Sequence, residues 1–234
     1  SSAIYPQAEA SLAQAQQHKL STICQRLELK TTDHLLEIGT GWGGLAIYAA
    51  QHYGCKVTTT TISDAQYAYA KQRIEALGLT EQITLLKKDY RDLTGEYDKL
   101  VSIEMIEAVG FEYLPSFFQQ CNQRLKSGGK LLIQSITIAD QRFGYYKQNV
   151  DFIQRYIFPG GFLPSVTILT QNLTQHTELV TESIDDIGLD YAKTLAHWRE
   201  AFLNSWSELT QFGYDEKFKR LWLYYFAYCE GAFL

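Results

Sequence analysis

Short apolar runs that are typical of buried strands alternate along this chain with segments whose apolar residues have helical spacing. Short apolar or β-branched runs predict buried strands over His34–Ile38, Lys56–Ile62, Ile83–Lys87, Lys99–Ile103 and Leu131–Ile138, with a further strand over Thr177–Ser183. Helical spacing predicts helices over Pro6–Leu27, Gly43–Tyr53, Ser63–Leu77, Pro115–Leu125, Tyr191–Leu209 and Asp215–Phe233. This alternation is typical of an α/β protein with a doubly wound, mainly parallel sheet.

Residues from about 140 to 175 interrupt the alternation with an aromatic segment that is followed by Phe158-Pro159-Gly160-Gly161. We predict that residues 1–234 form a single domain in which this stretch is a helical, aromatic insertion. It would cover the carboxyl edge of the sheet, where open α/β folds bind their ligands.

Composition narrows the classes of function. The formal net charge is −5 at pH 7, which argues against nucleic acid as a partner because phosphate binding needs clustered Lys and Arg. No apolar run approaches the roughly 20 residues that cross a bilayer. The four cysteines lack metal-ligand spacing, so we predict no metal site and reduced thiols in the cytoplasm. Since the chain begins at Ser1 rather than at Met, we expect it to come from a longer or processed protein.

A glycine-rich turn, LEIGTGWGG, follows the first predicted strand and opens a helix. Gly39, Gly41 and Gly44 match G-x-G-x-x-G, a pattern that holds an adenosine-bearing cofactor against backbone amides. A dinucleotide site would also need an acid about 20 residues later, but Thr59–Thr61 occupy that region. Glu37, two residues before the first glycine, is typical of class I methyltransferases that use S-adenosylmethionine (SAM). The turn therefore favours SAM over NAD.

Asp89 and Tyr90 close the third predicted strand. The acid could accept a hydrogen bond from the adenine amino group while the ring packs on the purine. An equally good interpretation is a solvated Asp in a turn beside Lys87, Lys88 and Arg91, and the local sequence favours neither.

Longer segments of the chain resemble the cyclopropane fatty acid synthase family. The matching segments are LEIGTGWGGLAIYAA, VTTTTISDAQ, KDYRDL, YDKLVSIEMIEAVG, RYIFPGGFLPS and LDYAKTLAHWREAFL. The resemblance covers essentially the whole chain and corresponds to the catalytic C-terminal region of that family. It implies a Rossmann-like, class I SAM-dependent methyltransferase fold.

The resemblance also implies a reaction. The methyl group of SAM would go to the cis double bond of an unsaturated phospholipid acyl chain, and the product would be a cyclopropane or a methyl- or methylene-branched fatty acid. Such an enzyme would work in the cytoplasm, peripheral to the inner face of the membrane. A homodimer is a further possible assembly.

Family roles carried over residue by residue identify two sets of site residues. Glu107, Tyr191, Gln134 and Ser2 would be the catalytic set that holds a bicarbonate base. Gln134 and Ser2 replace the family's His and Cys and cannot carry a positive charge, so bicarbonate would bind more weakly or not at all. The cofactor-binding set comprises Ser1, Glu37, Gly39, Gly41, Thr61, Ile62, Gln66, Asp89 and Tyr90.

Two other functions fit parts of the sequence. One is a SAM-dependent N-methyltransferase of a small amine, although Ala108 stands where such enzymes often place a His. The other is an inactive relative that binds SAM or lipid, as the changes at Ser2 and Gln134 would allow. Glu104, also at a predicted strand end, has no role in these hypotheses.

Overall fold

The computed structural model describes residues 1–234, which form two compact units. The sheet unit comprises residues 23–182, and the helical unit comprises residues 1–22 and 183–234. Helix α1, Leu12–Arg26, contributes residues to both.

A five-stranded parallel sheet organises the sheet unit. Its strands are β1 (His34–Ile38), β2 (Lys56–Thr61), β3 (Ile83–Lys87), β4 (Tyr97–Ile103) and β5 (Leu125–Gln134). Their order in the sheet is β3-β2-β1-β4-β5. The order reverses between β1 and β4, and ligands of open α/β sheets bind at the carboxyl ends of the strands at such a point. The predicted fold class is confirmed.

Helices and short 3-10 turns connect these strands or follow the last of them. The helices are α2 (Gly44–Tyr53), α3 (Asp64–Ala76), α4 (Leu114–Arg124), α5 (Asp140–Gln148), α6 (Phe152–Tyr156) and α7 (Val166–His176); the turns are Tyr90–Asp92, Ile106–Ala108 and Phe111–Tyr113. Ser63 caps α3 as predicted, since its hydroxyl accepts from the Gln66 amide. Helices α5, α6 and α7 occupy the stretch predicted to be a helical insertion, and its substrate-covering role stays a prediction.

The core cluster of the sheet unit combines aliphatic strand residues with aromatic residues of α4. Leu36, Ile38 and Leu100 are fully or almost fully buried, and they belong to one cluster with Phe117 and Phe118 of α4. Burying each of these side chains contributes about 1.5–3 kcal/mol. The three cysteines of this unit, Cys24, Cys55 and Cys121, are buried free thiols, and burial raises the pKa of each.

Helices α8 (Gly188–Asn204), α9 (Trp206–Gln211) and α10 (Glu216–Phe233) form the helical unit together with the first residues of the chain. Helices α8 and α10 pack through rings, with the Phe202 and Phe226 centroids 5.7 Å apart. The N-terminal segment is tied to α8, because the Ala3 amide donates to Thr194 Oγ1 at 3.1 Å and the Tyr5 amide donates to Asp190 Oδ1 at 3.2 Å.

Several predicted elements differ from the structure. The strand predicted over Leu131–Ile138 is β5 at Leu125–Gln134, because its pairing with β4 runs from Tyr97 opposite Leu125 to Ile103 opposite Gln134. Helix α1 begins at Leu12 rather than Pro6, because Ser11 and Gln14 form a reciprocal capping box in which each side chain accepts from the other's amide. The helix predicted over Tyr191–Leu209 begins earlier, at Gly188, and is interrupted at Ser205, whose backbone (φ −89°, ψ 4°) separates α8 from the helix that begins at Trp206.

The strand predicted over Thr177–Ser183 is wrong. This segment has no regular secondary structure and joins no strand of the sheet. The Glu178 amide donates to Asn122 Oδ1, and the Leu179 amide donates to the Thr177 hydroxyl. A strand needs backbone partners, and side-chain oxygens have taken these donors.

Candidate active site

The glycine turn leaves backbone exposed between β1 and α2. Gly39 and Gly41 have φ of +104° and +52°, values that favour glycine. A methyl group added to Gly41 or Gly44 would meet no atom within 4 Å, whereas one on Gly39 would lie 3.2 Å from Met105. The turn therefore opens outward at Gly41 and Gly44, beside the first turn of a helix whose leading amides lack partners within the helix.

Glu37 lies inside the sheet, opposite Thr59 in the parallel register. The Thr59 hydroxyl donates to Glu37 Oε2 at 2.6 Å, and the Thr40 hydroxyl of the glycine turn is 2.7 Å from the Thr59 hydroxyl. Only 3% of Glu37 is exposed, and this burial raises its pKa to about 8. Glu37 thus links the sheet to the glycine turn, while its predicted contact with a cofactor stays a prediction.

Replacing Glu37 by Gln should remove a pH dependence of stability. The folded carboxyl titrates near pH 8 and the unfolded one near 4.5, so the folded state binds more protons between these values. Stability from this group is present below about pH 4.5 and is lost as pH rises, by up to about 3 kcal/mol between roughly pH 5 and 8. The side-chain oxygen of the Glu37→Gln variant can still accept from Thr59. The free energy of unfolding in urea should be compared at about pH 5 and pH 8. Relative to the native chain, the variant should be more stable at pH 8 than at pH 5.

The exposed Glu81 provides the matched control, because Glu81→Gln changes the same functional group without burial. Equal pH dependence in the native chain and the Glu37→Gln variant would contradict the role of the buried carboxyl.

Three residues predicted to surround a ribose and adenine lie at the end of β2 and the start of α3. The Thr61 hydroxyl donates to Gln66 Oε1 at 2.8 Å and accepts from the Ser63 amide at 3.1 Å. Ile62 is 73% exposed, which is unusual for an isoleucine next to a buried strand. These contacts hold Gln66 at the start of α3 and leave an apolar side chain uncovered at the carboxyl edge of the sheet.

Asp89 and Tyr90 have local partners after β3. Arg91 donates to both carboxylate oxygens of Asp89 at 2.9 and 2.8 Å, and this pairing holds the pKa of Asp89 below its usual range. The Tyr90 ring packs edge-on against Phe117, 5.5 Å away. These contacts favour the interpretation of Asp89 as a residue of a turn beside Arg91. A contact between Asp89 and an adenine stays a prediction.

Glu107 lies in the 3-10 turn Ile106–Ala108, after β4. Its Oε1 accepts from the Ile136 amide at 2.5 Å, while its Oε2 is shielded from solvent and has no hydrogen-bond partner. Burial, and secondarily the nearby charge of Glu104, raises the pKa of Glu107 to about 7. A shielded carboxylate oxygen without a partner is rare in proteins and marks this side chain as a candidate for function.

Gln134, at the end of β5, contacts Glu104, the residue for which the sequence indicated no role. Gln134 Nε2 donates to Glu104 Oε1 at 2.7 Å, and the Glu104 amide donates to the Gln134 carbonyl at 2.8 Å. Glu104 has a φ of +46°, a strained value for a residue with a side chain. The sequence already indicated its place after β4, but not this contact, because Gln134 lies thirty positions away in the chain.

A group of aromatic rings is linked to Glu107 through a backbone hydrogen bond. The Phe162 amide donates to the Glu107 carbonyl at 2.9 Å. The Phe162 ring lies 5.5 to 5.8 Å from the rings of Phe111, Phe143 and Tyr146. The 3-10 turn Phe111–Tyr113, helix α5 and the segment before α7 together form an aromatic cluster, defined as these four residues, which the Phe162 amide links to the backbone of Glu107.

The remaining predicted site residues belong to the helical unit. The Ser1 hydroxyl accepts from Lys19 Nζ at 2.7 Å, and the buried Ser2 hydroxyl donates to the Ala3 carbonyl at 2.8 Å. Tyr191 is also buried and stacks on Phe233 with centroids 4.4 Å apart, so it is not a surface tyrosine. The sheet unit brings Glu107, Glu104 and Gln134 together, and the roles of Ser1, Ser2 and Tyr191 stay predictions.

Known proteins resemble this chain along its whole length. Tuberculostearic acid methyltransferase UfaA1 of Mycobacterium tuberculosis is 40% identical over 222 residues, which cover 95% of this chain and 52% of that protein. Cyclopropane-fatty-acyl-phospholipid synthase of Escherichia coli is 41% identical over 224 residues, covering 95% and 56%. The chain therefore spans about half the length of these relatives.

A solved structure shares the fold. The structure of mycolic acid cyclopropane synthase CmaA1 complexed with SAH and CTAB matches all of this chain and 84% of its own, with a TM-score of 0.91 and 24% identity. The fold is that of class I SAM-dependent methyltransferases. No helix here has both the length and the apolar character needed to cross a membrane.

The sequence resemblance and the fold point the same way. A family model described as mycolic acid cyclopropane synthetase matches residues 1–234. The chain belongs to the mycolic acid cyclopropane synthetase family.

Proposed function

We propose that this chain is the catalytic region of a SAM-dependent methyltransferase that alkylates the cis double bond of unsaturated phospholipid acyl chains. The observation that carries the proposal is the shielded, unpartnered Glu107 Oε2, in a residue joined through Phe162 to the aromatic cluster. This is a site suited to a cationic intermediate that must lose a proton. The family match and the two lipid-modifying relatives support it over methyl transfer to a small amine.

The glycine turn fits SAM. A methyl group on Gly41 or Gly44 would point into open space, so the backbone there can approach a ligand closely. Gly39 and Gly41 would lie beside the methionine part of SAM, Thr61, Ile62 and Gln66 around its ribose and adenine, and Tyr90 near the purine. When bound, SAM supplies an electrophilic methyl group. The shared fold of CmaA1, which was solved with SAH, supports SAM as the cofactor.

The chain's own residues must align a weak nucleophile and stabilise positive charge. An alkene attacks only when it is held close to and in line with the methyl group, which is a demand on positioning. The resulting cation would lie near aromatic faces, each contributing about 1–2 kcal/mol when water is excluded. Phe143, Tyr146 and Phe162 are the buried or half-buried rings that can do so.

The substrate class implies contact with lipid. The acyl chain would come from phospholipid at the inner face of the membrane, and CTAB in the structure of CmaA1 is compatible with an amphiphilic ligand. Because the net charge is −5, attraction to anionic lipid would come from a local patch rather than the overall field. A homodimer stays a prediction.

The test is turnover with lipid. The full-length protein, incubated with SAM and vesicles of phosphatidylglycerol carrying cis-unsaturated chains, should release S-adenosylhomocysteine (SAH). Its fatty acids should gain about 14 mass units when the product is a cyclopropane or a methylene branch, the mass of one added CH₂ group. Vesicles with saturated chains are the matched control and should give no SAH. Equal turnover with saturated vesicles, or methylation of an added amine instead, would contradict the proposal.

A further inference from the structure

The residues at this edge of the sheet do not fit a bicarbonate base. An anion here needs hydrogen-bond donors, and the one proton of the Ile136 amide already goes to Glu107 Oε1. Gln134 Nε2 donates to Glu104. Two carboxylates thus take up donors that an anion would use, and their like charges oppose the entry of a third negative group.

The geometry points instead to Glu107 as the proton acceptor, an inference that rests on the proposed function. We propose that Glu107 Oε2 takes the proton directly, and that Glu104, held by Gln134, is a positioning residue that tunes Glu107 through its charge. No bound anion takes part.

The step balances within the lipid and the carboxylate. The transferred methyl group is bonded to one carbon of the former double bond, and the neighbouring carbon carries the positive charge. One C–H bond of that methyl group breaks, and its electron pair forms the bond that closes the three-membered ring. The proton goes to Glu107 Oε2, the oxygen that the structure leaves without a partner.

The environment of Glu107 suits this role. A general base is most effective when its pKa is near the working pH, and burial together with Glu104 raises the pKa of Glu107 to about 7. The Ile136 amide fixes one oxygen, so the free one keeps a constant direction. Gln134 keeps Glu104 in place from two sides, through its side chain and its carbonyl.

The first experiment measures bicarbonate dependence. SAH release and lipid product are followed in CO₂-depleted buffer, with and without added bicarbonate. We expect rates within about twofold of each other, since the base is part of the chain. A loss of about tenfold or more that bicarbonate restores would overturn the inference and leave the proposed function intact. Absence of SAH in every buffer would refute the proposed function and this inference with it.

The second experiment tests Glu104 through the pH profile. Glu104→Gln can still accept the Gln134 hydrogen bond but removes the charge that raises the pKa of Glu107. The acid limb of kcat/KM against pH should therefore move to lower pH. Glu112→Gln, at an exposed glutamate of the next turn, is the matched control and should leave the limb in place. An unmoved limb in Glu104→Gln would contradict the positioning role.

Discussion

Replacing Glu107 by Gln lowers the rate of lipid product formation by about 10²–10⁴-fold, the usual contribution of a general base. In this variant the side-chain carbonyl can still accept from the Ile136 amide, so the local fold remains. The new amide nitrogen, however, stands where the unpartnered oxygen was and cannot accept a proton. The measurement is product formation by mass spectrometry, with SAM affinity determined by calorimetry in parallel.

The expected pattern separates chemistry from binding. SAM affinity should stay within about threefold, because Glu107 lies after β4 and not in the glycine turn. Glu112→Gln serves as the control, since it makes the same chemical change on the surface. A Glu107→Gln enzyme with near-normal product formation would show that the buried carboxylate takes no part in the reaction.

Replacing Gly41 by Ala weakens SAM binding at least tenfold, which corresponds to about 1.4 kcal/mol. Gly41 has a φ of +52°, and its added methyl group would project into the open space that we assign to the cofactor. Two effects therefore combine: a conformational penalty of about 1–2 kcal/mol on the fold, and a steric conflict with the ligand. Calorimetric titration with SAM measures the second, and urea unfolding measures the first.

Gly78→Ala is the matched control for that experiment. Gly78 follows α3 with a φ of +66° and also has nothing within 4 Å of an added methyl group. Both variants should lose similar stability, but only Gly41→Ala should lose SAM affinity. Equal SAM affinity in the two variants would place the cofactor elsewhere.

Local sequence predicted most of the sheet unit correctly. The bounds of β1 and β3 agree with the structure, and those of β2 differ by one residue, because buried β-branched runs bounded by turns have few alternatives. The predicted bounds were wrong where the extent of an element depends on hydrogen-bond partners that are distant in the sequence. β5 begins at Leu125 because that residue pairs with Tyr97 across an irregularity in the ladder. The segment after α7 found side-chain partners instead of a neighbouring strand.

The candidate site divides in the same way. The glycine turn could be predicted because its chemistry lies within a few consecutive residues, as does the Thr61–Gln66 contact. Glu104 could not, because its meaning comes from Gln134, thirty positions away in the chain. The partner of Asp89 could not be predicted either, because the spacing fitted a bound adenine and a local turn equally well. In the structure Arg91 is that partner.

By itself, the sequence determined the fold class and the family and predicted the cofactor type, because these depend on local periods and on contiguous motifs. Only the tertiary structure decided which carboxylate oxygen is left without a partner. That outcome depends on how β4 and β5 align, since their register brings the Ile136 amide to one oxygen of Glu107 and the Gln134 side-chain amide to Glu104. Burial has the second effect, because removing Glu107 from water raises its pKa to about 7.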